Sequence, residues 1–204
     1  IRTVKVTETQ LLVNGKPVYL KGFGKHEESD IRGKGMDEAL NVRDFELLKW
    51  IGANSFRTSH YPYSEELCLI AKEIQDEFPL LDFQVWELVQ LNEFVNHQIA
   101  HNTLFIEVED MLEDSVFEFL KGTQKHQKEV LTALYERDKN HPCVIMWSVS
   151  NEAQTQDANA LAYFTEIAAH MRALDNTRPL ANVTDNTADV DTVAHLFDVV
   201  CLNR

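Results

Sequence analysis

The sequence predicts an α/β fold built on a parallel sheet, as in an incomplete (β/α)8 barrel with about six βα units. Cys143–Ala153, CVIMWSVSNEA, is an almost unbroken apolar run, which is typical of a strand buried on both faces. Strand-like runs alternate along the chain with segments of helical periodicity, the order that parallel βα units produce. The 204 residues fall short of the roughly 250 that a closed eight-stranded barrel needs.

Six short runs carry the predicted sheet. They are rich in β-branched, aromatic or other apolar residues and are bounded by polar or turn-forming residues. Ahead of them, Asn14-Gly15 lies between two β-prone runs and predicts a hairpin within residues 1–20. The predicted barrel strands are Val18–Gly22, Asn54–Ser59, Pro79–Phe83, the run that begins at Cys143, Pro179–Thr184 and Val199–Asn203.

The segments between the strands have apolar residues at helical spacing. Residues 75–120 are less regular, because apolar and acidic residues mix there without a clear period, and we expect a divergent segment. One domain, residues 1–204, is predicted. Its helices are predicted at Asn41–Ile51, from Ser64 to about Ile74, and at Glu109–Leu120, Gln124–Arg137, Ala158–Leu174 and Thr192–Phe197.

Composition excludes several classes of partner. The formal net charge is −14, from 33 acidic and 19 basic residues, which argues against binding to nucleic acid or to an anionic membrane. No apolar run approaches the ~20 residues that span a bilayer. The first residues lack the basic and then apolar pattern of a signal peptide. The 3 cysteines are far apart and predict neither a disulfide framework nor a zinc site, so we expect a cytoplasmic protein.

Polar side chains follow the predicted strands, and a barrel gathers the carboxyl ends of its strands at one mouth. Imidazole, amide, carboxylate and guanidinium groups together suit a hydroxyl-rich, anionic sugar. Each residue also has a plainer interpretation, such as a core histidine bonded to backbone or a strand that ends in a polar turn. The residues are His26, Glu27, Arg57, His60, Asp82, Asn151, Glu152, Asp185 and Asn203.

Five blocks of the sequence carry a resemblance to a known family. RTSHYPY and the strand that ends in Asn-Glu are specific to that family, while KHE, DIRGKG and CLNR point to one branch of it. The chain resembles the first part of the catalytic TIM-barrel domain of β-glucuronidases, in glycoside hydrolase family 2. The blocks are IRTVKVTETQLLVNGKPVYLKGFGKHEESDIRGKG, DFELLKWIGANSFRTSHYPYSEE, ERDKNHPCVIMWSVSNEA, LDNTRP and LFDVVCLNR.

The resemblance implies a retaining glycoside hydrolase that uses two carboxylates about 5 Å apart. Glu152 matches the acid/base residue, which protonates the leaving oxygen and later activates water. Neither a metal nor another cofactor is expected. The residues that match sugar-binding or site-lining positions are His26, Asn151, Asn203, Arg57, His60 and Asp82.

The chain departs from the family pattern at three points. The family's nucleophile, a Glu, ends strand seven, whereas this chain stops at strand six. Phe83 stands where a Glu is expected after Asp82, and Ala153 replaces the usual Pro. We therefore expect an isolated chain with little or no glycosidase activity.

The partners implied by the resemblance are a glucuronide or related glycoside, the missing barrel strands and amino-terminal β-sandwich domains. A full-length protein is expected to form a homo-oligomer. Two alternatives stay open. The chain could be a non-catalytic half-barrel that binds carbohydrate or associates with itself. It could also be a metal hydrolase that uses His26, His60 and Asp82, although no HxH or HExxH spacing supports that.

Overall fold

The structure, a computed structural model, describes the backbone of residues 2–59, 61–77, 84–88 and 113–203. His60, Asp82 and the predicted strand Pro79–Phe83 lie outside these ranges. Among the helices within them, none is both long and apolar enough to cross a membrane.

Within these ranges, eleven strands form three sheets. Strands β1 to β3 make a small antiparallel sheet, β5 and β6 pair with each other, and the other six form the central sheet. The strands are β1 (Val4–Val6), β2 (Leu11–Val13), β3 (Lys16–Val18), β4 (Gly22–Lys25), β5 (Glu28–Ser29), β6 (Gly33–Lys34), β7 (Ser55–Thr58), β8 (Gln84–Leu88), β9 (Val144–Asn151), β10 (Leu180–Thr184) and β11 (Val199–Leu202).

In the part of the chain that the structure describes, four α-helices lie in the connections of the central sheet. A 3-10 helix, Ala194–Leu196, lies between β10 and β11. The α-helices are α1 (Glu38–Trp50), α2 (Glu65–Glu77), α3 (Glu113–Asp138) and α4 (Ala160–Leu174).

The central sheet has the order β4-β7-β8-β9-β10-β11, and every adjacent pair is parallel. Each strand therefore pairs with the next one in chain order. Doubly wound sheets reverse their order at a switch point, whereas a barrel adds strands in one direction. This order confirms the α/β class and is that of a barrel.

Two apolar cores cover the two faces of the sheet. On the helical face, Val144, Trp147 and Val149 of β9 pack in one cluster with residues of α2, α3 and α4. On the other face, Ile145 and Ala181 pack with Val4, and with residues of β2 and β11. The small sheet that holds Val4 thus covers the inner face of the central sheet. Strand β9 is consequently buried along its whole length, as its apolar run predicts.

The first barrel strand is Gly22–Lys25, so the prediction at Val18–Gly22 was wrong. Val18 instead pairs with Leu11 in the hairpin, whose turn at Asn14-Gly15 is confirmed by positive φ angles of 51° and 75°. Two glycines lower the strand propensity of Gly22–Lys25 and hid it in the sequence. Gly22 is needed because a Cβ there would overlap the carbonyl oxygen of Ser55 on β7.

The third strand of the sheet, Gln84–Leu88, lies in the segment whose pattern was unreadable. From Glu113 onward, the two helices predicted separately, Glu109–Leu120 and Gln124–Arg137, form one 26-residue helix, α3. Gly122 lies inside α3 and costs about 1 kcal/mol relative to Ala, which is less than the helix gains by packing on the sheet. Helix α1 begins earlier than predicted because the side chain of Asp37 caps it, accepting from Leu40 N at 3.2 Å.

A buried ion pair anchors the amino-terminal end of β9. Asp175 accepts hydrogen bonds from Trp147 Nε1 at 2.9 Å and from Arg178 Nη1 at 2.7 Å. Arg178 also donates to Val144 O and Lys139 O, at 2.9 and 2.7 Å, so it ties the residue that follows α3 to the start of β9. The side chains of Asp175 and Arg178 are 3% and 15% exposed, respectively. Burial opposes ionisation of Asp175, but the hydrogen bonds outweigh it and lower its pKa to about 2.

Replacing Asp175 by Asn should destabilise the protein by roughly 3 kcal/mol, because Arg178 is then buried without its counter-charge. Urea unfolding measures the loss. The exposed pair Lys125–Glu129, at 3.9 Å, supplies the control, since Glu129→Gln should change stability by less than about 0.5 kcal/mol.

The stability difference between the native chain and Asp175→Asn should also depend on pH. The pKa of Asp175 is lower in the folded chain than its ordinary value of 3.8, so its contribution to stability is full above pH 3.8. The contribution is lost as the pH falls from there to about 2. A difference between the native chain and Asp175→Asn that is constant across this range would contradict the assignment.

Candidate active site

The carboxyl end of β9 carries the candidate acid/base residue. Asn151 is the last residue of the strand and is buried, and the next residue, Glu152, is exposed. The φ angle of Glu152 is +52°, in the left-handed region that costs an L-residue other than Gly or Asn about 1 kcal/mol or more. Its N–H donates to Val183 O at 2.8 Å, which fixes this conformation to the neighbouring strand β10.

Asn203 joins the two residues. Its Nδ2 donates to Glu152 Oε1 at 2.6 Å and to Asn151 Oδ1 at 3.1 Å. Its backbone N–H donates to Thr184 O at 3.0 Å, so the end of β10 holds Asn203 in register with Glu152. Strands β9, β10 and β11 therefore bring together three polar groups that lie up to 52 residues apart.

Arg57 lies on β7, where its register partner is Gly24 of β4. A Cβ at Gly24 would lie 3.8 Å from Arg57 Nη2 and 2.8 Å from Ser59 Oγ, so glycine leaves room for both side chains. Burial lowers the pKa of Arg57, while its electrostatic interactions with Cys201 and Glu152 oppose that shift. Arg57 is thus electrostatically coupled to Glu152 and remains a cation near neutral pH.

Cys201 lies on β11 within electrostatic reach of Arg57. Burial raises the pKa of its thiol to about 11, although Arg57 favours the thiolate. The thiol is therefore neutral at pH 7, and a nucleophilic role for it is not favoured.

His26 follows β4, at the other end of the strand order from β11. Its side chain is half exposed, and its Nδ1 lies 3.6 Å from Glu28 Oε1. Hydrogen bonds thus join Asn203 to Glu152 and Asn151. Arg57 interacts electrostatically with Glu152. His26 stays a predicted sugar contact, as do His60 and Asp82 outside the described residues.

Sequence reasoning missed the support beneath the ends of β4 and β7. Tyr63 Oη bonds Lys25 O, at the end of β4, and Ser59 O at 3.1 Å, one residue after the end of β7. Burial raises the pKa of Tyr63, so its hydroxyl remains a donor. Glu27 is buried and accepts from Ser64 Oγ at 3.0 Å, while its N–H donates to Tyr61 Oη at 3.0 Å. The Tyr-Pro-Tyr motif was visible in the sequence, but its role as a brace was not.

Comparison with known proteins agrees with this geometry. The profile of glycosyl hydrolases family 2, TIM barrel domain, matches residues 4–204. The chain belongs to glycosyl hydrolase family 2. The family assignment accounts for the parallel sheet and for an exposed Glu at the carboxyl end of one of its strands.

Relatives within family 2 are β-glucuronidases. A β-glucuronidase of Paenibacillus borealis is 46% identical over 211 residues, which cover 100% of this chain and 31% of that protein. A solved β-glucuronidase from an uncultured Clostridium has a TM-score of 0.79 at 46% identity, covering 100% of this chain and 32% of that one. A β-glucuronidase of Ruminococcus gnavus in complex with D-glucuronic acid has a TM-score of 0.78 at 36% identity, with 100% and 31% covered. The chain therefore spans about a third of the length of these relatives.

The left-handed backbone at Glu152 predicts that a Gly variant is more stable than an Ala variant there, the reverse of their order inside a helix. Glu152→Gly and Glu152→Ala both remove the bond to Asn203, but only Gly adopts φ +52° without strain. The Gly variant should therefore be more stable than the Ala variant by about 1 kcal/mol in urea unfolding.

Glu46, an exposed residue inside α1, supplies the matched control. There the Gly variant should be less stable than the Ala variant by about 1 kcal/mol, as in any helix interior. The same order of stability at both positions would contradict the left-handed conformation of Glu152.

Proposed function

We propose that residues 1–204 form part of the catalytic (β/α)8 barrel, about six βα units of it, of a retaining glycoside hydrolase that cleaves β-D-glucuronides. Glu152 is its acid/base residue. No metal or other cofactor takes part. The substrate-binding residues are His26, Asn151, Asn203, Arg57, His60 and Asp82.

The contact between Glu152 and Asn203 carries this proposal. Glu152 Oε1 accepts the Asn203 amide hydrogen at 2.6 Å, so a proton on this carboxyl group belongs on Oε2. The exposed position of Glu152 lets Oε2 reach the glycosidic oxygen. In the first step Oε2 donates its proton to the leaving oxygen. In the second step the carboxylate takes a proton from the water that attacks the anomeric carbon.

The charge of Arg57 supports an anionic substrate. Its cationic side chain is half-buried on the sheet and coupled to the Glu152 end of the strands, where it lowers the cost of bringing a uronic acid carboxylate into the site. The bound D-glucuronic acid in the Ruminococcus gnavus relative supports the same substrate class.

The second carboxylate of a retaining site must lie about 5 Å from the first. In the family it ends strand seven, beyond the six strands of the central sheet. We therefore propose that the isolated chain is inactive, and that the remaining strands, β-sandwich domains and homo-oligomeric partners belong to a longer protein. A cytoplasmic location remains a prediction.

A chimera tests the catalytic role. The chain replaces its matching segment in the Paenibacillus borealis relative, and hydrolysis of an aryl and of an alkyl β-glucuronide is measured. Glu152→Gln should lower kcat/KM, which reports the step that cleaves the glycosidic bond, by about 10²–10⁴-fold for the alkyl substrate, because its alkoxide leaving group needs a proton. The loss should be smaller for an aryl substrate with an acidic phenol, which leaves without full protonation.

Glu166→Gln, an exposed carboxylate of α4 bound to Lys128, is the control and should leave both rates unchanged. Equal losses for the two substrates in Glu152→Gln would exclude Glu152 as the general acid. An unmodified chimera without activity would exclude the glycosidase function of this segment.

The non-catalytic alternative has one observation in its favour. Within the described residues, β4 and β11 are the outer strands of the central sheet, and Phe23 and Leu202 on them are 57% and 60% exposed. A self-associating half-barrel would cover these strands.

Sedimentation and D-glucuronic acid titration of the 204-residue chain separate the two functions. The catalytic proposal predicts an inert chain whose Asn203 and Glu152 resonances respond to the sugar. A stable dimer that shows no such response would favour the half-barrel instead.

A further inference from the structure

We infer that Gln127 of α3 and Tyr163 of α4 are positioning residues, which hold a bulge in β9 that aims Asn151 and Glu152 at the candidate active site. The role of Glu152 rests on the proposed function. The bulge and its two supports rest on the geometry of the strand and of the helices behind it.

The bulge is defined by the register between β9 and β10. Ser148 pairs with Ala181 and Asn151 pairs with Val183, so three steps along β9 match two steps along β10. In a regular strand, residues three apart point to opposite faces. The extra residue puts Asn151 on the same face as Ser148, and Glu152 follows it. Without the bulge, Asn151 would point toward the helices.

Gln127 holds the backbone of the bulge. Its Nε2 donates to Val149 O at 2.8 Å, within the extra step of β9. Tyr163 Oη donates to Gln127 Oε1 at 2.7 Å and fixes the orientation of the amide. Burial raises the pKa of Tyr163, so its hydroxyl keeps the proton that this bond needs. Gln127 is 3% exposed, so the Val149 carbonyl is satisfied by a buried side chain.

Ser150 makes a second contact in the bulge. Its Oγ donates to Asn182 Oδ1 on β10. Asn182 is fully buried, and its Nδ2 has no hydrogen-bond partner among the described residues. A buried donor without a partner costs about 1–3 kcal/mol. An apolar residue at position 182 would avoid this cost, so the amide is explained by its bond to the bulge rather than by stability.

Gln124 joins the same two helices by a hydrogen bond that does not involve β9. It lies one turn before Gln127 on α3, and its Nε2 donates to Tyr163 O at 3.2 Å. This bond joins α3 to α4, as the bond from Tyr163 Oη to Gln127 does, but it goes to a helix carbonyl rather than to β9. Gln124→Met is therefore the matched control for Gln127→Met, because both variants keep the length of the side chain and lose its donor.

The test uses the 204-residue chain labelled with ¹⁵N and follows the side-chain amide resonances of Asn203, which donates to Glu152 and Asn151. Gln127→Met and Tyr163→Phe should shift these resonances several-fold more than Gln124→Met does. Tyr163→Phe removes a single hydroxyl, so it decides the matter if Gln127→Met does not fold. In the chimera, Gln127→Met should lower kcat by about 10-fold to 100-fold with KM unchanged.

Asn203 resonances that stay unchanged in Gln127→Met and Tyr163→Phe, or that shift as they do in Gln124→Met, would overturn the inference. The glycosidase proposal fails separately, through an unmodified chimera that does not hydrolyse glucuronides. In that case the Asn203 resonances of the chain still decide whether Gln127 and Tyr163 position the end of β9.

Discussion

The burial of β9 on both faces is the constraint on which the rest of the structure depends. All eight of its residues are buried. A strand without a solvent face needs helices on one side and an apolar lining on the other, and α3, α4 and the sheet of β1 to β3 supply them. Its polar groups must also find partners inside the protein. That requirement explains why the most apolar stretch of the sequence is surrounded by ordered polar side chains.

These polar contacts are divided between the two ends of β9. At the amino-terminal end, Asp175 and Arg178 complete their hydrogen bonds with Trp147 and with backbone carbonyls. At the carboxyl end, Asn182 has a donor without a partner among the described residues, and Glu152 has a strained backbone. The contacts at the amino-terminal end stabilise the fold. Those at the carboxyl end cost stability, but they orient Asn151 and Glu152. Such a division is typical of barrels, whose function lies at the carboxyl ends of the strands.

The sequence was informative where structure depends on local pattern. The run of β9, the Asn14-Gly15 turn and Glu152 at a strand end all follow from neighbouring residues. Strand β8 was missed because Gln84–Leu88 mixes apolar and charged residues, and only its pairing with β7 and β9 makes it a strand. The bulge and the bond from Gln127 depend on register between distant segments, which no local pattern contains. LDNTRP is recognisable in the sequence as a block, but the ion pair within it depends on the packing of Trp147.

The surroundings of Glu152 come from consecutive strands and from the helices behind them. Asn203 and Val183 belong to β11 and β10, and Gln127 reaches the strand from α3. The contacts that orient the proposed acid/base, Glu152, therefore all come from residues of this chain. A retaining site needs both groups, and in the family the nucleophile ends strand seven, whereas Glu152 follows β9. Substitutions behind β9 should consequently affect the proton-transfer role of Glu152, because Gln127 and Tyr163 act on the strand that carries it.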